Sequence, residues 1–258
     1  MQLLPVSSKF IFLPILKRLG LLLLALQVNT PVWAQVISSP LVQVNMLEVY
    51  TSQGCSSCPP AERWMSKFKD DARLWKQLVP MNFHVDYWDY LGWPDPYASK
   101  IFTQRQKDYK RLGLSPTVAT PGFIVAGEGW NGWFRRQPVP LKPVKAVGVL
   151  TANIERNEAH VSFNPIQDYK QTLQLYVAIL GFDQKTRVFA GENSGKELPH
   201  DFVVIGYKRT AMEKAKGQFT AQLTLPNVDR FNSPRKALVF WVCHQGDPSP
   251  IQVAADWY

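Results

Sequence analysis

One stretch restricts the fold of this chain more than any other: the apolar run VNMLEVY (Val44–Tyr50), followed directly by TSQGCSSCPPAERW (Thr51–Trp64). An unbroken apolar run of that length is the mark of a strand buried on both faces. Behind it Trp64, Met65, Phe68, Ala72 and Trp75 recur at helical spacing, so a helix is expected from Pro59 to about Leu78. Pro59 and Pro60 suit its first turn, where backbone N–H groups have no partner inside the helix. Cys55 and Cys58 therefore stand where a strand ends and a helix opens. A pair in that position is a redox centre, part of a metal site, or a structural cross-link.

The same alternation continues. VPMNFHVDYW (Val79–Trp88) is expected as a second strand. Asp95 and Pro96 make an N-cap and first-position pair for a second helix carrying Tyr97, Ile101, Arg105, Tyr109 and Leu112, which ends near Gly113. TPGFIVAGE (Thr120–Glu128) is a third strand with a proline at its mouth. The order β-α-β-α-β with short connections predicts parallel pairing in an α/β sheet. After Gly129 the pattern changes. Pro138, Pro140 and Pro143 crowd the stretch 137–146, which is expected to be a linker. Beyond it come seven strand-like runs separated by turn signals, the pattern of a β-sandwich or an elaborate antiparallel sheet. The expected division is 35–136 for the α/β core, 137–146 for the linker, and 147–258 for an all-β, sandwich-like domain.

At the N-terminus, Lys9, Lys17 and Arg18 precede the run LGLLLLALQV (Leu19–Val28), and Val32 and Ala34 are placed as the small residues before a cut. This reads as a Sec-type signal peptide over residues 1–34, cleaved between Ala34 and Gln35. The run is short for a bilayer span of about 20 residues, so no stable membrane span is expected after cleavage. The expected location is secreted or periplasmic. Removing three basic residues lowers the net charge from +9 to +6. With no lysine or arginine cluster, no nucleic-acid partner is expected.

Three cysteines are too few for a disulfide-built scaffold. Either Cys55 pairs with Cys58 and leaves Cys243 over, or one of them pairs with Cys243; the spacing favours the first. At a helix N-terminus, free N–H groups and the helix dipole favour a thiolate. Cys55 is thus expected to attack, and Cys58, one turn inside, to resolve. His84 and Asp86, at the end of the second strand, would lie beside the pair, either shuttling a proton or serving the core and a loop. Tyr87, Trp88, Tyr90 and Trp93 either line a groove or pack over the sheet end. Cys55, Cys58 and His84 offer a copper or zinc ligand set, but no second C-x-x-C exists and the four histidines are scattered. No metal and no other cofactor is expected, and Cys243 in ALVFWVCH reads as a buried thiol.

Taken together, LEVYTSQGCSSCPPAE, FHVDYWDYLGW with DPYASKIFTQRQ, TPGFIVAGEGWNGW and GENSGKELPHDFVV resemble a secreted, thioredoxin-like bacterial family known as domain of unknown function 1223. The resemblance covers Val44 to the C-terminus. It implies a thioredoxin-like core with an attached β region and a signal peptide, and it implies no established substrate. The matching positions of interest are Cys55, Cys58, Thr120, Pro121, His84 and Asp86. In thioredoxin-like folds a cis X–Pro turn lies against the cysteine pair, and Thr120–Pro121 stands where that turn belongs. One departure is that no final helix follows the third strand. The expected function is a thiol–disulfide oxidoreductase acting on protein thiols or disulfides or on a redox partner protein. The alternatives are a non-catalytic binding or assembly module with a structural disulfide, and a copper or zinc chaperone.

Overall fold

The computed structural model describes Gln2, Leu4 and residues 34–258; apart from Gln2, Leu4 and Ala34, the expected signal peptide lies outside the described residues. Strand β1 (Gln35–Ser38) leads into β2 (Asn45–Thr51), helix α1 (Cys58–Ser66), β3 (Leu78–His84), helix α2 (Lys100–Arg111), β4 (Gly122–Val125) and β5 (Glu128–Gly129). Strands then dominate: β6 (Gly148–Glu155), β7 (Glu158–Pro165), β8 (Leu173–Phe182), β9 (Gln184–Arg187) and β10 (Glu197–His200). The chain finishes with β11 (Val203–Ala211), β12 (Glu213–Ala215), β13 (Gln218–Thr224), β14 (Arg235–His244) and β15 (Pro250–Trp257). Among the described residues no helix is long and apolar enough to cross a membrane. The protein is mixed α/β and mainly β, with the cysteine pair at the start of α1.

A single eight-stranded sheet runs in the order β15-β14-β8-β11-β3-β2-β4-β5. Strand β2 is parallel to β3, and β11 joins the far side of β3 in parallel through Val203 and Asn82. The division expected at 137–146 therefore does not interrupt the fold: the sheet is continuous across it, and residues 34–258 lie in one compact unit. The proline-rich stretch is tied to the body where Lys142 N–H donates to Asn45 Oδ1 at 2.9 Å.

Both faces of this sheet are covered, and the alternation of side chains along its strands explains why β8 and β14 read as unbroken apolar runs. Tyr176, Ala178, Leu180 and Phe182 of β8 and Val239, Trp241 and Cys243 of β14 join the core that includes Met65 of α1 and Phe102 of α2. Their neighbours Leu175, Val177, Ile179, Leu238, Phe240 and Val242 point the other way. They pack with Leu150, Phe163 and Phe219 of a five-stranded sheet ordered β1-β6-β7-β13-β12.

Three expectations in the first half are corrected. Strand β4 runs antiparallel to β2, not parallel, with Leu47 opposite Val125 and Tyr50 opposite Gly122. Residues 112–121 turn back along α2, where Gln106 Nε2 donates to the carbonyl of Ala119 at 2.7 Å. They deliver β4 to the cysteine end of the sheet, from which it can only run against β2. Helix α1 ends at Ser66 and passes through a 3-10 turn at Lys67–Asp70. Asp71 then stops the helix by taking the Arg73 N–H and guanidinium, and Trp75 adopts a left-handed φ of 63°. Ala72 and Trp75 matched the helical period without being helical. Helix α2 starts later than expected because its N-cap is Ser99, whose hydroxyl accepts from Ile101 N–H, and not Asp95.

Candidate functional site

Cys55 and Cys58 form a disulfide with their Cα atoms 5.5 Å apart. The strand–turn–helix junction brings them together: Cys58 is the first residue of α1 and its N–H donates to the Cys55 carbonyl at 3.3 Å. The Cys55 sulfur lies 3.3 Å from Ser57 Oγ and 3.7 Å from the carbonyl oxygen of Thr120. The Thr120–Pro121 peptide is cis. Trp88 Nε1–H donates to Thr120 Oγ1 at 2.7 Å, so the aromatic stretch after β3 holds the turn that faces the cysteines. Trp88 itself can approach the cysteine loop because residue 54 is glycine; a Cβ there would lie 2.9 Å from Trp88 Cβ. Beside Pro121 opens a cavity of about 230 Å³ lined by Gly122, Phe123, Trp130 and Phe134 among others.

The pair is covered. Cys55 is 1% exposed and Cys58 0%. The tip of the two-stranded β9–β10 hairpin, which sequence reasoning had taken for turns, lies against the backbone of the cysteine loop. Glu192 Oε2 accepts from Ser56 N–H at 2.7 Å. Asn193, itself buried, donates from Nδ2 to the carbonyls of Gln53 and Cys55 at 3.0 and 2.8 Å. Gly191, at φ +74°, packs against Gly54.

Near the pair lies a cluster of buried ionisable groups drawn from four parts of the chain. Glu62, four residues after Cys58 on α1, accepts from Thr51 Oγ1 at 2.6 Å and from His200 Nδ1 at 2.5 Å. His84, at the end of β3, donates from Nδ1 to Asp95 Oδ2 at 2.7 Å, and that carboxylate also accepts from the N–H groups of Gln53 and Tyr97. His84 Nε2 points at Glu62 Oε2 from 4.0 Å and has no hydrogen-bond partner. Burial works against charge on His84, but the carboxylates of Asp95 and Glu62 outweigh it and raise its pKa. Burial likewise opposes ionisation of Glu62 and Asp95, yet the facing histidines and the donated hydrogen bonds lower both. The two carboxylates on either side of His84 thus favour its imidazolium form.

Glu62, His84 and His200 have the residue types of a metal site, with ligand atoms within 4.8 Å of one another. The hydrogen-bond inventory decides against that use. Trp93 Nε1 can only donate, and it donates to Gln53 Oε1 at 2.8 Å. The amide nitrogen of Gln53 therefore faces His200 Nε2, at 3.0 Å, and must be the donor there. This fixes the His200 proton on Nδ1, aimed at Glu62, where a metal would need a lone pair. The copper or zinc set Cys55, Cys58 and His84 is not assembled either: the cysteines are joined to each other and His84 is turned to Asp95 and Glu62.

Of the residues expected at the site, the fold brings Cys55, Cys58, Thr120 and Pro121 together. It sets His84 in the nearby buried cluster. Asp86 is elsewhere engaged, accepting from Thr103 Oγ1 of α2 at 2.6 Å. Cys243 is a free, buried thiol whose pKa burial pushes far up. Glu62, Asp95, Glu192, Asn193 and His200 were missed as site residues. Glu62 had a usable signal, its spacing of four from Cys58 on one helix face; the others come close only through the fold.

Comparison with known proteins returns no curated match. Among solved structures, AGR_C_4864 from Agrobacterium tumefaciens is similar at 23% identity and a TM-score of 0.55, covering 83% of this chain and 94% of that one. HBP35 of Porphyromonas gingivalis is similar at 14% identity and a TM-score of 0.56, covering 84% of this chain and 76% of that one. At these identities the likeness shows shared fold alone. Residues 46–243 match the family described as protein of unknown function, DUF1223, and the chain belongs to that family.

Proposed function

We propose that this protein is a thioredoxin-like thiol–disulfide oxidoreductase, exported from the cytoplasm, that works through Cys55 and Cys58 on protein thiols or disulfides. The observation that carries the reading is the disulfide at the mouth of α1 with its Cys55 sulfur against the Thr120 carbonyl. The parallel β2–β3 pair, followed by β4 antiparallel to β2 and β5 antiparallel to β4, supports it. A partner thiolate would attack the Cys55 sulfur, break the Cys55–Cys58 bond and leave Cys58 as a thiolate. A second partner thiol then attacks the mixed disulfide, so the partner leaves oxidised and both cysteines leave reduced. To Glu62, four residues after Cys58 on α1 and facing His84 and His200, we assign the handling of the Cys58 proton, the role sequence reasoning gave to His84 or Asp86. The cavity behind Pro121 gives an apolar partner side chain a place beside the cis turn whose Thr120 carbonyl faces Cys55.

The burial of both cysteines favours a second reading, a structural cross-link in a binding module. Equilibration in glutathione buffers, with trapping and mass readout, separates the two. A reduction potential between about −120 and −270 mV is the range of exchange catalysts; one below about −300 mV is that of structural disulfides and sinks the proposal.

A further inference from the structure

The start of α1 offers an anion few donors. Pro59 and Pro60 have no N–H, the Cys58 N–H is spent on the Cys55 carbonyl, and no acidic side chain stands in the first turn. What remains is the N–H of Ser56 and of Ser57, and Ser56 donates to the carboxylate of Glu192, which arrives from the β9–β10 hairpin. That carboxylate is exposed and one residue from the sulfur that would have to become a thiolate. Asn193 beside it is buried and donates to two carbonyls of the cysteine loop. The tip is closed on itself, with Lys196 N–H on the Asn193 carbonyl, Lys196 Nζ on Asn193 Oδ1, and Gly195 N–H on the Val188 carbonyl. Glycines with left-handed φ, Gly191 and Gly195, flank it. Its stem is anchored through His200 to Glu62 of α1.

We propose that the tip of the β9–β10 hairpin is a gate over the Cys55–Cys58 pair, in which Asn193 latches the cover and Glu192 holds the Ser56 amide that a Cys55 thiolate needs. The closed gate holds the backbone of the cysteine loop down and sets a carboxylate on the amide next to Cys55. A thiolate on Cys55 repels that charge and competes for its donor, so reduction of the pair favours opening. The gate deepens the oxidoreductase reading and rests on it only for its purpose; the acidity and accessibility of Cys55 are measurable whatever the pair does. The other charges around the sulfur are Lys196 on the same hairpin, Glu62 on α1, His84 at the end of β3, His200 on β10 and Asp95 before α2. Neither variant below substitutes any of them; Asn193→Ala only frees the Lys196 ammonium from Asn193 Oδ1.

Glu192→Gln keeps the acceptor and the cover and removes only the charge. In the reduced protein it should raise the rate of Cys55 alkylation by iodoacetamide near neutral pH by roughly 5-fold, as one charge at a partly exposed contact implies. The apparent thiol pKa and the reduction potential should shift with it, towards a more acidic thiol and a more oxidising pair. The gain should shrink in 1 M salt, where the screening length is about 3 Å. Asn193→Ala should speed reduction of the disulfide by dithiothreitol by about 5-fold or more, since hydrogen bonds that hold the tip down are lost. Equal alkylation of Glu192→Gln and wild type at every pH, or a gain indifferent to salt, overturns the role of Glu192. An unchanged dithiothreitol rate in Asn193→Ala overturns the gate. If both variants respond as expected while neither they nor the wild type exchange with a protein dithiol, the gate stands and the oxidoreductase reading falls.

Discussion

Two buried charge clusters sit on opposite faces of the same sheet, one under each helix, and they are built on opposite principles. In one, Arg105 of α2 grips Glu48 of β2 at 2.7 and 2.8 Å and donates to the Pro248 carbonyl, while Tyr50 and Tyr109 also donate to Glu48. Its guanidinium lies 5.4 to 5.7 Å from the ring centres of Phe83, Tyr109, Tyr176 and Trp241. None of the four polar side chains leaves a buried atom without a partner. In the other, near the cysteines, the cation is His84, one of its ring nitrogens is unpartnered, and two carboxylates share it. An arginine cannot lose its proton in a protein, whereas an imidazole can near neutral pH. The first cluster is a staple joining α2 to the β14–β15 turn. The second can change its protonation, and it touches the helix that carries Cys58.

Removing Arg105 should do the most damage. Arg105→Met leaves Glu48 buried without its cation, and should cost about 3–5 kcal/mol in chemical denaturation. Restoring neutrality with Glu48→Gln in the same chain should recover part of that loss. A loss below about 1 kcal/mol would mean that the cluster is not a staple at all.

His84→Gln should cost less, about 2–3 kcal/mol, because Asp95 keeps two backbone donors and Glu62 keeps Thr51 and His200. The two clusters should also differ in pH dependence. The pKa of His84 is raised on folding, so its charged contribution is fully present below about pH 6.5 and is lost as pH climbs through the folded value. Asp95 and Glu62 are lowered, so theirs is present above about pH 4 and is lost as pH falls through the folded values. The cost of His84→Gln should therefore be larger near pH 6 than near pH 9, while that of Arg105→Met stays flat between them. A His84→Gln cost that is equally flat would remove the distinction drawn here.

The smallest effect is a control outside both clusters. Ser99→Ala deletes the N-cap of α2 and should cost about 1 kcal/mol without moving the reduction potential. A shift in potential from that change would show that α2 is coupled to the cysteines after all.

Much of the fold was legible. The run Val44–Tyr50 became β2, and the runs expected after residue 147 became β6, β7, β8, β11, β13, β14 and β15. Errors fell where one side chain satisfied two patterns. Asp95 before Pro96 has the form of an N-cap, and only the arrival of His84 shows that its carboxylate is needed elsewhere. Trp75 keeps the helical period of α1 but is apolar because it meets Phe182, Phe202 and Trp257. The hairpin over the cysteines was read as turns because glycine, asparagine and serine mark both a turn and a tip that must pack closely.

By itself the sequence determined the local chemistry: a cysteine pair at the mouth of a helix, a proline turn where β4 begins, and strands apolar enough to be buried on both faces. Those follow from spacing and side-chain type, which act over a few residues. Tertiary structure alone decided that one sheet spans both halves, that Asp95 meets His84 and Glu62 meets His200, and that Glu192 lies on the Ser56 amide. These partners are separated by between 11 and 138 residues along the chain. A buried charge has to find its counter-charge wherever the fold brings one, and no local pattern records where that will be.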